Sequence, residues 1–201
     1  STMSNLAEID LRKWYEGTTF TSDWLSDYIP SWQKALGPIR ESATSVLEIG
    51  SWEGRSAIFS LNYFPNAKLT IIDVSIRKPL LKNLAPFMNR VETLQGTSTM
   101  GLETLRLADR KFDFIYIDGE HSEAQTMIDS ILSWQLLKVG GVVIWDDYLW
   151  KEGGDIDQPK KAVDTFLDLY KGHIEVLHHG YQVIARKTSE RKAQYEYTFM
   201  L

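Results

Sequence analysis

The chain has 201 residues, of which 43% are hydrophobic and 12% aromatic, which predicts one globular domain with a sizeable core and excludes a disordered or fibrous protein. The net charge of −5 arises from interspersed acidic and basic residues, so we expect neither a nucleic acid nor an anionic membrane as a partner. The absence of cysteine excludes disulfides, thiolate catalysis and cysteine-bound zinc.

The first residues, "STMSNLAEIDLRKW", lack the apolar core of a signal peptide and the arginine-rich pattern of a transit peptide. No apolar run in the chain approaches the ~20 residues that span a bilayer. We therefore expect a cytoplasmic protein.

Residues 1–44 are expected to form a helical preface to the domain. Hydrophobic residues recur at helical spacing over residues 23–36, and Pro30 must kink or divide that helix. The aromatic residues of this stripe predict either a lid over a ligand or ordinary packing against the core; they are Trp24, Tyr28 and Trp32.

From Ser45 onward, short apolar runs alternate with amphipathic segments, the pattern of strand–helix–strand units that build a parallel sheet. The predicted strands are 45–49, 68–72, 91–94, 112–117, 141–145, 174–178 and 182–186. The predicted helices are 55–63, 78–87, 99–107, 123–137 and 159–171. The connection between the last two strands is too short for a crossover, so these strands must form an antiparallel hairpin. We predict an α/β domain with a seven-stranded, mostly parallel sheet over residues 45–186 and a C-terminal tail over 187–201.

The segment "VLEIGSWEGRSA" leads from the first strand into a helix, with Gly50 and Gly54 at the turn. Glycine lets the backbone approach a ligand closely, and the helix N-terminus presents N–H groups to it. The bulky Trp52 and Arg55 depart from the G-x-G-x-x-G pattern, which disfavours NAD and FAD. Asp73 ends the second strand, where a carboxylate can accept both hydroxyls of a ribose. The pattern favours a nucleoside site without a diphosphate; the alternative is a turn without a ligand.

Other polar residues near this turn allow two interpretations each. Thr97 and Ser98 follow the third strand, and they either approach an adenine edge or cap the next helix. Glu48 lies inside the first strand, where a carboxylate is costly to bury without partners. It therefore either accepts hydrogen bonds from the glycine turn or contacts the ligand.

Three carboxylates lie at the ends of two strands that are expected to be neighbours. Asp118 ends the fourth strand, and Asp146 and Asp147 end the fifth. Because ligands of open α/β sheets bind at the carboxyl ends of the strands, these acids are expected to face one crevice. Clustered carboxylates repel unless a cation joins them, and oxygen donors select Mg²⁺, Mn²⁺ or Ca²⁺. The alternative is that these acids only cap turns. Successive strand residues point to opposite faces, so Asp146 and Asp147 converge only if the chain leaves the strand between them.

His121 lies three residues after Asp118 on the connecting turn. A histidine at this place can take a proton from a substrate hydroxyl that a metal has acidified. It could equally bind the metal or cap the helix.

Four segments in this order resemble class I S-adenosylmethionine-dependent methyltransferases: "VLEIGSWEGRSA", "LTIIDVS", "FDFIYIDGEHSEA" and "LLKVGGVVIWDDY". The arrangement "IDGEH…GGVVIWDD" resembles their metal-dependent O-methyltransferase branch, which includes catechol-type and sugar-type enzymes. The resemblance covers residues 45–186 and implies a Rossmann-like, doubly wound fold. The pair Asp146-Asp147 departs from the Asp-Asn of many catechol-type members.

The resemblance also implies roles for individual residues. It assigns Asp118, Asp146 and Asp147 to Mg²⁺ or another hard divalent cation, and it assigns His121, with Asp118, to catalysis. The residues expected at S-adenosyl-L-methionine are Glu48, Gly50, Ser51, Gly54, Asp73, Val74, Thr97, Ser98 and Asp118.

The sequence therefore predicts Mg²⁺-dependent O-methylation of a small-molecule hydroxyl. Two alternatives stay open: a metal-independent N-methyltransferase, and a module that binds the cofactor without catalysis. A homodimer is possible, since the tail carries aromatic residues that could contact a partner subunit.

Overall fold

The fold is built on one seven-stranded sheet, seen in a computed structural model that describes residues 11–151 and 158–191. The strands are β1 (Ser45–Ile49), β2 (Lys68–Asp73), β3 (Val91–Gln95), β4 (Phe112–Ile117), β5 (Leu137–Trp145), β6 (Ile174–His179) and β7 (Val183–Lys187). Their order is β3-β2-β1-β4-β5-β7-β6, and β7 pairs antiparallel with both β5 and β6. The predicted α/β class, doubly wound sheet and terminal hairpin are confirmed.

Seven α-helices accompany the sheet in the described residues. They are α1 (Leu11–Trp14), α2 (Ile29–Leu36), α3 (Arg55–Tyr63), α4 (Lys78–Leu84), α5 (Ser98–Leu107), α6 (Glu123–Leu136) and α7 (Pro159–Leu169). None of the helices in the described ranges is long and apolar enough to cross a membrane.

Two hydrophobic clusters cover the two faces of the sheet, because successive strand residues point to opposite sides. In β1, Val46 belongs to the cluster with α2 and α3, whereas Leu47 belongs to the cluster with α5, α6 and α7. Both faces are therefore buried, as expected of a mostly parallel sheet. The remaining access for a ligand is at the ends of the strands.

The structure corrects the predicted border between α6 and β5. The helix was predicted to reach residue 137 and the strand to begin at 141, but α6 ends at Leu136 and β5 begins at Leu137. Leu137 pairs with Phe112, and the buried Lys187 Nζ donates to the carbonyls of Trp134 and Leu137 at 2.8 and 2.9 Å. This lysine belongs to β7, so the predicted border between core and tail at 186 also moves by one residue. Residues 192–201 of the predicted tail lie outside the described part.

The helix predicted over 23–36, with a kink or division at Pro30, is shorter in the structure. A 3-10 turn covers Ser26–Tyr28, and α2 begins only at Ile29. The Asp23 carboxylate accepts hydrogen bonds from the backbone of Leu25 and Ser26 at 3.0 and 2.9 Å, which holds this segment in a turn. Pro30 divides the segment, as predicted, by lying in the first turn of α2, where its missing N–H costs nothing.

Gly50 makes the approach of β1 to β4 possible. Its φ is +80°, and a Cβ at this position would lie 2.1 Å from the carbonyl oxygen of Asp118. No side chain fits this space. A glycine is therefore required where the first strand leaves the sheet.

We expect Gly50→Ala to lower the free energy of unfolding by roughly 3 kcal/mol, since backbone strain and a clash with a carbonyl add together. Gly172→Ala is the matched control: its φ is +91°, and no heavy atom lies within 4 Å of the added Cβ. The control should lose only about 1 kcal/mol. Urea denaturation measures both, and equal losses would show that the contact with Asp118 is unimportant.

Candidate active site

A cavity of about 1030 Å³ opens at the carboxyl ends of β1, β2, β4 and β5. This is where ligands of open α/β sheets bind, and the volume is sufficient for two small molecules. Most predicted site residues line it, namely Gly50, Ser51, Asp73, Val74, Thr97, Ser98, Asp118, His121, Asp146 and Asp147. Glu48 and Gly54 are not among the lining residues.

Glu48 lies behind the glycine turn, 2% exposed, and supports the turn from below. Its carboxylate accepts hydrogen bonds from the hydroxyls of Ser51 and Ser56. Of the two interpretations of Glu48, the structure shows the hydrogen bonds to the glycine turn. Burial raises the pKa of Glu48 to about 7, although the two serine hydroxyls oppose the shift.

Gly54 has a structural position at the start of α3. Its φ is +92°, and an added Cβ would lie 2.9 Å from a methyl group of Leu80 on α4. The residue lets α3 and α4 pack closely. The expected contact of Gly54 with the cofactor stays a prediction.

Asp73 is held at the cavity wall by backbone amides. Its two carboxylate oxygens accept from the N–H groups of Ser51 and Ser75 at 2.9 and 3.1 Å. The glycine turn after β1 and the end of β2 are thereby tied together. Val74 follows, 70% exposed, as an apolar surface beside the carboxylate.

Thr97 and Ser98 have different roles. The Thr97 hydroxyl accepts from the backbone N–H of Met100 at 3.2 Å and caps α5, so the capping interpretation holds for it. Ser98 donates instead to the carboxylate of Asp129 on α6 at 2.6 Å. Both residues also line the cavity.

The three predicted acids converge. Asp146 follows the last residue of β5, and Asp147 has a left-handed φ of +59°, so the chain leaves the strand between them as the prediction requires. All three acids line the cavity, and Asp118 and Asp146 lie close enough for Asp146 to raise the pKa of Asp118. Three donor atoms, one each from Asp118, His121 and Asp147, lie within 4.8 Å of one another. Asp146 is not part of this set, and its role as a metal ligand stays a prediction.

The electrostatics of the cluster separate the three acids. Burial, reinforced by the neighbouring Asp146, raises the pKa of Asp118 well above its usual value. Burial also raises the pKa of Asp146, against the hydrogen bonds that it accepts. For Asp147, hydrogen bonds from His121 and Tyr181 outweigh burial and lower the pKa. The cluster thus favours a proton or a cation at Asp118 and Asp146, and favours the ionised form of Asp147.

His121 is positioned between the acid cluster and an aromatic side chain. Its Nε2 lies 2.6 Å from Asp147 Oδ2, and its ring stacks on Trp150 with centroids 4.4 Å apart. These contacts fix the imidazole over the site. The geometry is compatible with either a proton acceptor or a metal ligand.

Sequence reasoning missed the residues that orient the two acids after β5. The Tyr181 hydroxyl donates to Asp147 at 2.6 Å, and the buried Gln182 donates to Asp146 at 3.0 Å. Gln182 is itself fixed by the indole N–H of Trp32 at 2.7 Å. The predicted terminal hairpin is the feature of the sequence that could have pointed to these residues. If its second strand pairs with β5, the turn of the hairpin lies near the end of β5.

A family model described as a methyltransferase domain matches residues 47–148, half of the chain. The chain belongs to this family. The match begins in β1 and ends just beyond the two acids after β5, so it spans the cavity. The predicted membership in the class I methyltransferases is thereby confirmed. No curated protein matches the chain.

Solved structures share the fold at low sequence identity. MycE methyltransferase of the mycinamycin biosynthetic pathway, in complex with Mg and SAH, is 18% identical with a TM-score of 0.68, over 83% of this chain and 51% of MycE. The O-methyltransferase TomG from Streptomyces achromogenes, in complex with SAM, is 20% identical with a TM-score of 0.66, over 82% of each chain. Cofactor-bound Rv0187 from MTB is 20% identical with a TM-score of 0.67, over 93% of this chain and 94% of that one. This chain spans about half the length of MycE.

We expect Glu48→Gln to change how stability depends on pH. The pKa of Glu48 rises from 4.5 to about 7 on folding, so the stability that its proton contributes is present below pH 4.5 and is lost as the pH rises toward 7. Glutamine keeps the neutral shape at every pH. The free energy of unfolding of the variant should therefore gain roughly 3 kcal/mol on that of the wild type across this range. Denaturation series in EDTA check this, and a constant difference would contradict it.

Proposed function

We propose that this protein is an S-adenosylmethionine-dependent O-methyltransferase that uses Mg²⁺ or another hard divalent cation to methylate a small-molecule hydroxyl. One observation carries the proposal: Asp118 and Asp147 bring carboxylate oxygens within 4.8 Å of each other, in the same cavity as Asp146 and Asp73. Membership in a methyltransferase family supports the reaction class. The Mg, SAH and mycinamycin VI bound to MycE supply a precedent for the combination.

The cofactor would lie along the edge from β2 to β4. Asp73 is the proposed partner of the ribose hydroxyls, because its carboxylate is fixed by two amides and faces the cavity. Gly50 and Ser51 would flank the methionine part, where only a glycine lets β1 and β4 approach each other. Val74 would cover one face of the base.

The acid cluster fits a hard divalent cation. Asp118, Asp146 and Asp147 offer carboxylate oxygens, and burial and the neighbouring Asp146 raise the pKa of Asp118, a repulsion that a cation would relieve. Asp118, Asp146 and Asp147 would hold the ion. When bound, such an ion lowers the pKa of a hydroxyl beside it and orients that hydroxyl.

The remaining chemistry belongs to the chain. His121 would receive the proton of the acceptor hydroxyl, and Asp147, its hydrogen-bond partner, would stabilise the imidazolium. Tyr181 and Gln182 would keep the two acids after β5 in position. Alignment of the oxygen with the methyl carbon then accounts for much of the acceleration of a displacement reaction.

Aromatic side chains form the wall next to the acids, on the side where the acceptor would bind. Trp24 stacks on Trp52 with centroids 4.6 Å apart, and Tyr28 stacks on Tyr181 at 6.1 Å. Trp24 and Tyr28 come from the N-terminal segment, which supports a lid, whereas the fully buried Trp32 packs in the core. A homodimer and a cytoplasmic location stay predictions.

We expect Asp118→Ala and Asp146→Ala each to weaken Mg²⁺ binding by about tenfold or more, since each removes a negative ligand. Calorimetric titration with S-adenosylhomocysteine present measures the affinity. Asp168→Ala, which removes an exposed acid on α7, is the control and should bind as the wild type does. Unchanged binding in both site variants would contradict the metal site, and full activity in EDTA would favour the N-methyltransferase.

We expect His121→Asn to lower the rate of methyl transfer by about 100-fold, because the proton acceptor is lost, while Mg²⁺ affinity stays within about twofold. Single-turnover formation of S-adenosylhomocysteine measures the rate. His178→Asn on the edge strand β6 is the matched control and should react normally. A parallel loss of Mg²⁺ binding in His121→Asn would instead assign this histidine to the ion.

A further inference from the structure

Asp129 on α6 is a buried acid that the proposed chemistry does not use. It is 1% exposed, and burial raises its pKa although Ser98 and Gln125 oppose the shift. Its Oδ1 accepts from Ser98 at 2.6 Å and from Gln125 Nε2 at 2.9 Å, whereas its Oδ2 has no hydrogen-bond partner among the described residues. A half-satisfied carboxyl in the interior is costly. Ser98 and Gln125, its side-chain partners among the described residues, both line the cavity.

The contacts of Gln125 fix the orientation of its side-chain amide. Nε2 lies 2.9 Å from Asp129 Oδ1 and 3.0 Å from each of the hydroxyl oxygens of Ser98 and Thr99. Asp129 Oδ1 accepts from Ser98, so it acts as an acceptor here and the NH₂ group of Gln125 faces it. The amide oxygen Oε1 therefore remains as the polar atom that Gln125 offers to the cavity.

The hydroxyl of Ser98 has no hydrogen left for a ligand, because it donates to Asp129 and accepts from Gln125. The Thr97 hydroxyl accepts from the backbone of Met100 and keeps its own hydrogen. Gln125 thus presents an acceptor in a fixed direction to the cavity that it lines together with Asp73 and Val74. The chemical group that complements it is an N–H donor, such as the exocyclic amino group of a base.

We propose that Gln125, held by Asp129 and Ser98, recognises the 6-amino group of the adenine base of the cofactor, so that this side chain determines which nucleoside the cavity accepts. The inference rests on the proposed function, since it needs a nucleoside whose ribose is at Asp73. It adds a base-reading residue on α6, an element to which the sequence pattern assigned no ligand contact. A 6-oxo base would place one oxygen against another, which the site should reject.

The test compares two ligands by calorimetry: S-adenosylhomocysteine and its analogue with hypoxanthine in place of adenine, which carries 6-oxo instead of 6-amino. The wild type should bind the 6-amino ligand about 30-fold more tightly or better. In Gln125→Leu this preference should fall below about threefold, because the acceptor is gone. A merely structural role would weaken both ligands equally and leave the ratio unchanged.

Two further variants distinguish the orientation of the Gln125 amide from its contact with the ligand. Asp129→Asn lets the Gln125 amide turn over and should also reduce the preference, whereas Thr99→Val leaves Asp129 and Ser98 in place and should keep it. If Asp129→Asn does not fold, the ratio of the two ligand affinities in Gln125→Leu, on the half-buried first turn of α6, still tests the inference. Equal binding of both ligands by the wild type, or an unchanged ratio in Gln125→Leu, overturns the inference alone. Failure of the wild type to bind either ligand overturns the proposed function as well.

Discussion

The register of the parallel strands forces carboxyl groups together at one edge of the sheet, and the rest of the site depends on this. Ile117 of β4 lies beside Ile49 of β1 and Trp145 of β5, so the residues that follow these strands are neighbours as well. Gly50 accepts this crowding because it has no side chain, whereas Asp118 and Asp146 meet as acids. Two half-buried carboxyls this close share a proton or bind a cation. The fold thus favours a proton or a cation at a fixed point.

The sheet was predictable because its strands are local apolar runs, and the bounds of β1 and β4 match the prediction. The start of β5 was not, since "LKVGG" contains no continuous apolar run and reads as the end of a helix. What makes Leu137 a strand residue is distant in sequence: its pairing with Phe112 and the ammonium group of Lys187 at its carbonyl. The turn at Asp23 was missed for another reason, because its side chain competes with the helix for backbone N–H groups.

The candidate site was also predictable only in part. Acids that close strands could be placed in one crevice, because strand ends share an edge whatever the details of packing. The side chains that hydrogen-bond to these acids, and those that line the cavity from α6, could not be predicted in this way. Gln182 reaches Asp146 only because β7 inserts between β5 and β6, and the paired contact of Asp129 with Gln125 depends on how α6 lies against α5. Such contacts are set by sheet order and helix packing, which no periodicity in the sequence encodes.

The negative charge of the cavity lining would favour binding of the methyl donor over binding of the product in the proposed reaction. Among the described residues, its lining contains seven acids and one arginine, Arg77; the acids are Asp23, Asp27, Asp73, Asp118, Glu120, Asp146 and Asp147. A sulfonium carries a positive charge that such a lining attracts, and the thioether left after methyl transfer carries none. An acidic cavity therefore holds the methyl donor more strongly than the spent product. The carboxylates proposed to hold a cation at one end of the cavity would also favour exchange of the cofactor at the other.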